Sequence, residues 1–273
     1  MKAAEMYKVE GYGAIVTGGA SGLGLSYVEV LAENGARVTI LDIDRSGIDR
    51  ELTRLRGLGY DVDGKVVDVT DRPAVHRAFD EVAGKYGRLD VVFANAGIDP
   101  GPGFVAFDRK TRPNESAIEN YTDERWDHVI DTNLNSVFTT IKAAARHMKP
   151  RKSGRIIITT SVAALVIEGA IGAAYMAAKA AAAHLMRNVA LELAKYNILV
   201  NAIAPGPFIT NIGGGHAHKP EIQAAFAQVV PVHRMASTEE MKGLALFLAS
   251  PASSYITGSQ IVIDGGMQLG VAD

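Results

Sequence analysis

The stretch GAIVTGGASGLGLSYVEVLAENGARVTILD, residues Gly13–Asp42, predicts the architecture of the chain. It begins with the apolar run Gly13–Val16, continues into a glycine-rich turn, and then reads as an amphipathic helix that ends at Gly35. A second apolar run, Arg37–Leu41, follows and ends in Asp42. Strand, glycine turn, helix and strand in this order predict a βαβ unit. Its turn would lie at a helix N-terminus, where free N–H groups and the helix dipole favour anions.

The glycines of the turn suit the close approach of a pyrophosphate, although their spacing is not the most common one. Gly18, Gly22 and Gly24 follow G-x-x-x-G-x-G and not the usual G-x-G-x-x-G. A purely structural turn explains the glycines alone equally well. Asp42 adds to the ligand interpretation, because a carboxylate about twenty residues past such a turn can accept from adenosine ribose hydroxyls. It would also repel a 2′-phosphate, and the turn contains no Arg or Lys, so the sequence favours NAD over NADP.

The alternation of strands and helices continues towards the C-terminus. Further strands are predicted at Lys65–Val67, Leu89–Phe93, Ile156–Ile158, Ile198–Ala204 and Gln260–Ile263, and helices at Arg72–Tyr86, Asp123–Met148 and Thr238–Leu248. Strands separated by helices predict a parallel sheet covered on both faces. We therefore expect an α/β fold, a doubly wound parallel sheet with helices on both faces, in a single domain over residues 1–273.

Composition excludes several classes of protein. The chain has 273 residues, with 28 Lys plus Arg against 30 Asp plus Glu, so a nucleic-acid partner is not expected. It contains no cysteine, which excludes disulfides and thiolate catalysis. The N-terminal residues lack the apolar core of a signal peptide, and no uncharged apolar segment reaches transmembrane length. We expect a cytoplasmic protein with no membrane partner.

A second stretch, SVAALVIEGAIGAAYMAAKAAAAHL at Ser161–Leu185, carries the candidate chemistry. Tyr175 and Lys179 are four residues apart in an alanine-rich helix, so they share one face. A phenol has an ordinary pKa of about 10, and a cation beside it would lower the pKa of Tyr175. Ser161 follows a predicted buried strand, where its hydroxyl can donate to the same substrate oxygen. Taken alone, the pair also fits an ordinary surface helix.

Polar residues recur at the carboxyl ends of the predicted strands, where parallel sheets bind ligands. Asp68, Asn95 and Ser161 all occupy such positions, as do the glycine turn and Asp42. This convergence predicts one ligand site along that edge of the sheet.

The order of these motifs resembles that of short-chain dehydrogenases/reductases. The resemblance covers Gly13–Gly266 and includes TGGASGLG at Thr17–Gly24, NAG at Asn95–Gly97, YMAAK at Tyr175–Lys179 and PGPFIT at Pro205–Thr210. It implies a Rossmann-like fold with about seven parallel strands. It also implies nicotinamide-dependent interconversion of a small-molecule secondary alcohol and a ketone, with NAD as the cofactor that Asp42 favours.

The resemblance further implies a catalytic tetrad. Its members would be Asn133, Ser161, Tyr175 and Lys179. Tyr175 would be the general acid/base, and Ser161 would orient the substrate oxygen. Lys179 would lower the pKa of Tyr175 and contact the nicotinamide ribose. Asn133, inside a predicted helix, would hold a proton-relay water through its amide or through the main chain that it perturbs.

The cofactor contacts that we expect lie along the same edge of the sheet. They are Gly18, Ser21, Gly22, Leu23, Gly24, Asp42, Ile43, Asp68, Val69, Asn95, Ala96, Gly97, Tyr175, Lys179, Pro205, Gly206, Phe208 and Thr210. The resemblance implies that Thr210 and the backbone at Phe208 hold the carboxamide.

Two loops are expected to shape the substrate pocket. Residues 99–123 are rich in Gly, Pro, Asp and Asn, and are either a lid carrying Phe104, Val105 and Phe107 or a disordered insertion. Residues 207–222 are expected to be a mobile substrate loop. The candidate pocket residues are Phe104, Val162, Ile167, Glu168, Ile171, Phe208, His216 and His218. Their mostly apolar character favours a hydrophobic or cyclic alcohol, although Glu168 can instead select a hydroxylated or cationic group.

Other functions remain possible on the sequence. A nicotinamide-binding sensor or scaffold of the same fold would be expected to lose the Tyr, Lys or Ser, and all three are present. A sugar-nucleotide epimerase or dehydratase usually needs a larger C-terminal substrate domain. No metal is expected, because His216 and His218 have only Glu221 at ligand spacing.

The chain is also expected to form a homo-oligomer, a tetramer or a dimer. The apolar positions of Val129–Met148 and the alanine-rich face of Tyr175–Lys195 offer two long helices for packing across a two-fold axis. Small residues on the second helix, Ala178, Ala182 and Ala183, would allow close approach. The resemblance implies a second interface at Tyr255–Met267.

Overall fold

The parallel sheet is the centre of the molecule. In the computed structural model, which describes residues 2–106 and 110–270, the strands are β1 (Gly13–Thr17), β2 (Arg37–Asp42), β3 (Val62–Val66), β4 (Val91–Ala94), β5 (Gly154–Thr159), β6 (Ile198–Pro205) and β7 (Gln260–Ile263). They form one 7-stranded sheet in the order β3-β2-β1-β4-β5-β6-β7, and every neighbouring pair is parallel. The direction of winding reverses between β1 and β4. Ligands of doubly wound sheets bind outside the carboxyl ends of the strands at this switch point.

Helices cover both faces of the sheet. The α-helices of the described residues are α1 (Gly22–Glu33), α2 (Arg45–Gly57), α3 (Arg72–Tyr86), α4 (Asp123–Ile130), α5 (Ser136–Met148), α6 (Ala173–Leu193), α7 (Pro220–Ala227) and α8 (Lys242–Ala249). One buried apolar cluster joins α1, α2 and α8 to one face, and the other joins α3, α5 and α6 to the opposite face. The predicted doubly wound α/β fold is therefore confirmed.

The central strands and the edge strand β3 differ in how well the sequence predicts them. All residues of β1 and β4 are buried, because these strands have neighbours on both sides and helices on both faces. The run Lys65–Val67 was predicted as the third strand, but β3 covers Val62–Val66. As an edge strand paired only with β2, it includes Asp63 and Lys65 and lacks a continuous apolar run.

Two predicted helices are interrupted. The helix predicted at Asp123–Met148 is divided into α4 and α5 by a π-helical turn at Asp131–Asn135. The helix predicted at Thr238–Leu248 begins as a 3₁₀ turn, Thr238–Met241, before α8. Helices α2 and α7 were not predicted, because the former is dominated by charged residues and the latter lies just beyond a glycine-rich segment.

None of the helices in the described ranges combines the length and the apolar character needed to cross a membrane.

Candidate active site

The four predicted catalytic residues meet at the carboxyl edge of the sheet. Asn133 lies in the π-helical turn, Ser161 follows β5, and Tyr175 and Lys179 lie in the first two turns of α6. All four side chains are buried. The N-terminal part of α6 packs against the turn that follows Ser161 and against the π-helical turn. Residues far apart in the chain are thus brought into one small region.

Lys179 is held in this region by the end of β5. Its Nζ donates to the carbonyl oxygen of Thr159 at 2.8 Å and lies 5.4 Å from the centroid of the Tyr175 ring. Only 3% of the residue is exposed, and burial lowers the pKa of the Lys179 ammonium to about 8. The lysine therefore loses its proton more easily than an ordinary lysine.

The pKa of Tyr175 moves in the direction opposite to the sequence-based expectation. Burial raises the pKa of the phenol well above its ordinary value, and the carboxylates of Asp99 and Glu168 raise it further. The nearby Ser161 hydroxyl lowers it, but not enough to compensate. The expectation that Lys179 brings the pKa of Tyr175 towards neutral is wrong for this structure, because desolvation disfavours the phenolate. Tyr175 keeps its proton at neutral pH.

The amide of Asn133 is engaged in hydrogen bonds within the protein. Its Nδ2 donates to the carbonyl oxygens of Ile98 at 2.8 Å and Val129 at 3.0 Å, and its Oδ1 accepts from Ile98 N at 3.1 Å. Of the two routes predicted for a water contact, the side-chain amide is therefore already engaged. The irregular main chain of the π-helical turn is the other route, and such turns are frequent at functional sites.

Asn95 joins the ends of three neighbouring strands. Its Nδ2 donates to the carbonyl oxygens of Thr17 at 3.1 Å and Gly18 at 3.2 Å. Its Oδ1 accepts from the Thr159 hydroxyl at 3.0 Å. The Thr17 hydroxyl accepts from the backbone N–H groups of Asn95 and Ala96. Neither threonine was predicted as a site residue, because a threonine at a strand end is also an ordinary strand residue.

Two of the predicted glycines are required by close contacts. A Cβ added to Gly24 would overlap the carbonyl oxygen of Gly18, so α1 can approach the turn only with glycine there. A Cβ added to Gly97 would lie 2.6 Å from Asn133 Oδ1 and 3.3 Å from Lys179 Nζ. The backbone around Gly97 is therefore packed directly against the predicted catalytic side chains.

The turn before α1 has the features of a phosphate cradle. Ser21 is the N-cap residue of α1, yet its side chain makes no capping hydrogen bond to any described residue. The first-turn N–H groups of an uncapped helix are available to an anion. Leu23 lies in this first turn, and an added Cβ on Gly22 would come within 3.6 Å of the Thr210 side chain. The turn and the segment after β6 thus lie next to each other at the carboxyl edge of the sheet.

The acid at the end of β2 is fixed against the glycine turn. Asp42 Oδ2 accepts from Ala20 N at 3.0 Å, and Oδ1 accepts from Asp44 N at 3.0 Å. Ile43 beside it is largely exposed. At the end of β3, Asp68 is exposed and Val69 is buried. These four predicted cofactor residues lie along the carboxyl edge, on the side of β1 away from Tyr175.

The segment after β6 closes the opposite side of the cleft. Pro205 is the last residue of β6, and Gly206 N donates to the carbonyl oxygen of Ile263 at 2.9 Å. Phe208 is buried and forms an isolated bridge with Ala236. Thr210 is also buried. The residues present therefore fit a dinucleotide cofactor.

The segment 99–123 is tied to the rest of the chain in its described parts. It contains 3₁₀ turns at Asn114–Ser116 and Ile118–Asn120. Gly103 N donates to the carbonyl oxygen of Ala170 at 3.1 Å, and Val105 N donates to that of Gly169 at 3.0 Å. The insertion therefore lies against the loop before α6. Phe107, predicted as a lid residue, lies outside the described residues.

Arg125 of α4 organises the start of this insertion, a role that the sequence did not indicate. Its guanidinium donates to the carbonyl oxygens of Gly101 and Pro102, the latter at 2.7 Å, and lies 4.4 Å from the centroid of the Tyr121 ring. Asp99 Oδ1 accepts from Gly101 N at 3.1 Å, and the Asp99 carboxylate also accepts from the backbone of Gly172. Burial raises the pKa of Asp99. Asp99 and Arg125 together fix the insertion against the N-terminus of α6.

The predicted pocket residues are only partly brought together. Ile171 packs against the apolar cluster that contains Tyr175, and Glu168 is half-buried near it. Val162 is buried in the turn after Ser161. Ile167 is 81% exposed, so its place in the pocket stays a prediction. Phe104 is 46% exposed.

The predicted mobile loop 207–222 contains regular structure. A 3₁₀ segment covers Ile212–His218, with left-handed glycines at its centre, and α7 begins at Pro220. His216 and His218 are exposed on this segment, and His218 Nε2 lies 3.0 Å from Asn211 Oδ1. Among the described residues, no group of three or more His, Asp or Glu side chains is placed to hold a metal ion.

Comparisons with known proteins agree with this geometry. A family model described as enoyl-(acyl carrier protein) reductase matches residues 18–268. A solved short-chain type dehydrogenase/reductase from Mycobacterium marinum is 32% identical, with a TM-score of 0.88, and the match covers 97% of this chain and 99% of that one. This chain belongs to the short-chain dehydrogenase/reductase family.

Other members of the short-chain dehydrogenase/reductase family match over nearly their whole length. The 3-oxoacyl-[acyl-carrier-protein] reductase of Thermotoga maritima is 35% identical over 261 residues, which are 95% of this chain and 99% of that protein. The structure of a gluconate 5-dehydrogenase from Burkholderia cenocepacia, in complex with NADP and tartrate, is 30% identical with a TM-score of 0.88. That match covers 99% of this chain and 100% of that one. The chain is therefore similar throughout to oxidoreductases of this family.

Proposed function

We propose that the protein is an NAD-dependent dehydrogenase/reductase that interconverts a secondary alcohol and a ketone, with Tyr175 as the general acid/base. The observation that carries the proposal is the meeting of a buried phenol, a hydroxyl and a lysine beside Gly97 at the carboxyl edge of the sheet. This set can move a proton to or from a substrate oxygen without a metal ion.

Each residue of the set has a distinct task in the proposed reaction. The nicotinamide, when bound, supplies or accepts the hydride. Tyr175 gives its proton to the carbonyl oxygen of a ketone, and its raised pKa ensures that it holds that proton at neutral pH. Ser161 donates to the same oxygen and stabilises the charge that develops there. Lys179 contacts the nicotinamide ribose.

Lys179, with a water held at the Asn133 turn, resupplies the proton of Tyr175. Because burial lowers the pKa of Lys179 to about 8, this side chain can release and regain a proton near neutral pH. The main chain of the π-helical turn at Asn133 would hold the water that connects Lys179 to solvent. The Asn133 amide keeps that turn in place through its hydrogen bonds to Ile98.

The proposed preference for NAD rests on Asp42. Its carboxylate is fixed by two backbone N–H groups at the turn, where it can accept from the ribose hydroxyls and repel a 2′-phosphate. The Burkholderia structure was solved with NADP, so family membership alone does not favour either cofactor. Ser21, Gly22 and Leu23 would bind the pyrophosphate, while Phe208 and Thr210 would hold the carboxamide.

A screen of secondary alcohols and sugars with NAD and with NADP tests the proposal directly. We expect reduction of NAD in the presence of at least one alcohol, with kcat/KM higher for NAD than for NADP. Tight NAD binding without hydride transfer from any alcohol would favour the alternative, a nicotinamide-binding sensor or scaffold. Equal kcat/KM values for the two cofactors would contradict the role given to Asp42.

A further inference from the structure

Thr159, the last residue of β5, contacts both halves of the candidate site. Its carbonyl oxygen accepts from Lys179 Nζ at 2.8 Å, on the side of the predicted catalytic residues. Its hydroxyl donates to Asn95 Oδ1 at 3.0 Å, and the Asn95 amide in turn contacts the glycine-rich turn before α1. The main chain and the side chain of one buried residue thus reach the lysine and the cofactor turn separately.

The Asn95 amide can hold the glycine-rich turn in only one orientation. Its Nδ2 donates to the carbonyl oxygens of Thr17 and Gly18, at 3.1 and 3.2 Å. The reverse orientation would place Oδ1 against these two carbonyl oxygens, neither of which carries a proton. The amide is also wedged against α1, because a Cβ added to Gly24 would lie 2.6 Å from Nδ2. A group that fixes the orientation of this amide therefore fixes the turn.

The Thr159 hydroxyl is such a group, and it is itself held in place. A hydroxyl carries one proton, so a Thr159 hydroxyl that donates to Asn95 accepts from Tyr27 Oη, which lies 3.3 Å away. Tyr27 is fully buried, and its ring stacks on that of Phe93 with the centroids 4.3 Å apart. The hydrogen bonds therefore run in one direction, from Tyr27 through Thr159 and Asn95 to the turn.

We propose that the hydroxyl of Thr159 positions the cofactor-binding turn: it orients the Asn95 amide, which keeps the turn in the shape that receives the pyrophosphate. When a turn is ordered before the ligand arrives, none of the binding free energy is used to order it. Thr159 acts through Asn95 and is therefore a positioning residue, not a catalytic one. This inference rests on the nicotinamide binding that is part of the function proposed above.

Thr159→Val removes the hydroxyl, keeps the shape of the side chain, and leaves the carbonyl oxygen that holds Lys179. We expect the dissociation constant of NAD, measured by calorimetric titration without substrate, to rise at least about tenfold. With a working substrate, kcat at saturating NAD should change less than about threefold, because Lys179 keeps its contact. Thr159→Ser, which retains the hydroxyl, should bind NAD as the wild-type protein does.

Thr160→Val is the matched control, because it makes the same substitution at the next buried residue. The Thr160 hydroxyl donates to the carbonyl oxygen of Ile203 at 2.8 Å and lies 3.1 Å from Gln260 Nε2, on the side of β6 and β7. Its loss should lower the free energy of unfolding, measured by urea denaturation, without weakening NAD binding. Unchanged NAD binding in Thr159→Val would overturn the proposal, and so would an equal rise in the dissociation constant in Thr160→Val.

Amide hydrogen exchange without cofactor tests the turn itself. Residues 17–24 should exchange faster in Thr159→Val than in the wild-type protein, and at the wild-type rate in Thr160→Val. Thr159→Ala removes the hydroxyl without placing a methyl group against Asn95, so it should show the same increase, and it replaces the valine variant if that variant does not fold. Wild-type exchange of the turn in these Thr159 variants would contradict the positioning role.

The two proposals can fail separately. A wild-type protein that binds neither NAD nor NADP would contradict the proposed function, whereas faster exchange of the turn in Thr159→Val would still support its ordering by the hydroxyl. NAD binding and turnover by the wild-type protein, together with unchanged NAD binding in Thr159→Val, would leave the dehydrogenase function standing and overturn the positioning role.

Discussion

Lys179 is the charged side chain of the candidate site that the fold removes most completely from water. Its residue is 3% exposed, and its pKa is about 8 instead of the ordinary 10.5. Below pH 8 the folded protein buries Lys179 as an ammonium, so the full free-energy cost of desolvating that charge is present. As the pH rises from 8 to 10.5, the folded state has lost the proton while the unfolded chain still keeps it, and the cost decreases to zero.

Lys179→Met should therefore stabilise the protein at neutral pH. Removal of the buried charge outweighs the lost hydrogen bond to Thr159, and we expect a net gain of roughly 1–2 kcal/mol in the free energy of unfolding. The gain should shrink as the pH rises from 8 towards 10.5. Urea denaturation at several pH values measures it, with Lys142→Met, an exposed lysine on α5, as the control. A gain that is absent at neutral pH, or that grows with pH, would count against the burial argument.

Asp42 decides the choice of cofactor in this account. Asp42→Ala removes the ribose acceptor and the charge that repels a 2′-phosphate, so NAD should bind more weakly and the discrimination against NADP should relax. We expect a loss of about 1–3 kcal/mol in the binding of NAD, typical of a hydrogen bond to a charged group. Titration of both cofactors measures this, with Asp49→Ala on the exposed side of α2 as the control. Unchanged relative affinities would contradict the assignment.

At the scale of residues, the sequence predicted where the side chains lie better than it predicted the shifts of their pKa values. The spacing of Tyr175 and Lys179 correctly indicated that the two side chains lie close together. It could not indicate that both are buried, and burial reverses the expected shift of the Tyr175 pKa. The sequence did not indicate the contact of Arg125 with the insertion, because an arginine near the start of a helix is usually a solvent-exposed charge. Its carbonyl partners lie in the insertion, 23 and 24 residues away.

At the scale of elements, Arg125 and Asp99 fix the start of the insertion 99–123, together with backbone contacts to the loop before α6. Arg125→Ala should release its first part, because the carbonyl oxygens of Gly101 and Pro102 lose a charged donor. We expect faster amide hydrogen exchange in residues 99–106 and a loss of at least about 1 kcal/mol of local stability. Arg112→Ala, an exposed arginine of the same insertion, should have no such effect. Unchanged exchange in Arg125→Ala would show that the backbone contacts to Gly169 and Ala170 suffice.

The sequence predicted best the elements that are buried on both faces. Central strands such as β4 are buried on both faces and therefore appear as apolar runs. The edge strand β3 and the charged helix α2 have one side in water, so their patterns are weak. The π-helical turn at Asp131–Asn135 depends on hydrogen bonds between Asn133 and Ile98, 35 residues away. No local pattern can reveal such a contact.

At the scale of the whole molecule, the predicted oligomer needs a different contact face from the one expected. Ala178, Ala182 and Ala183 are buried within the subunit, so they cannot form an interface. The exposed apolar positions on neighbouring helices are instead Phe138 of α5 and Leu191 of α6, the latter 83% exposed. We propose these two exposed side chains as part of the contact face of the oligomer.

Leu191→Glu should weaken self-association, because it places a charge on this exposed face. Light scattering at micromolar concentration should give a smaller mass than for the wild-type protein, which we expect to be a tetramer or a dimer. Leu58→Glu, an exposed leucine at the end of α2, should leave the mass unchanged. A monomeric wild-type protein would contradict the prediction of an oligomer.

The central claim is that Tyr175 transfers the proton in a reaction coupled to hydride transfer. Its most direct test is the steady-state turnover of Tyr175→Phe with a working substrate, measured beside the binding of NAD. The ring remains in the variant, so NAD should bind as before, while kcat should fall by about 100- to 10,000-fold, the range typical for loss of a general acid/base. Tyr196→Phe, which removes a phenol outside the site, should keep full activity. Near-native turnover by Tyr175→Phe would contradict the account.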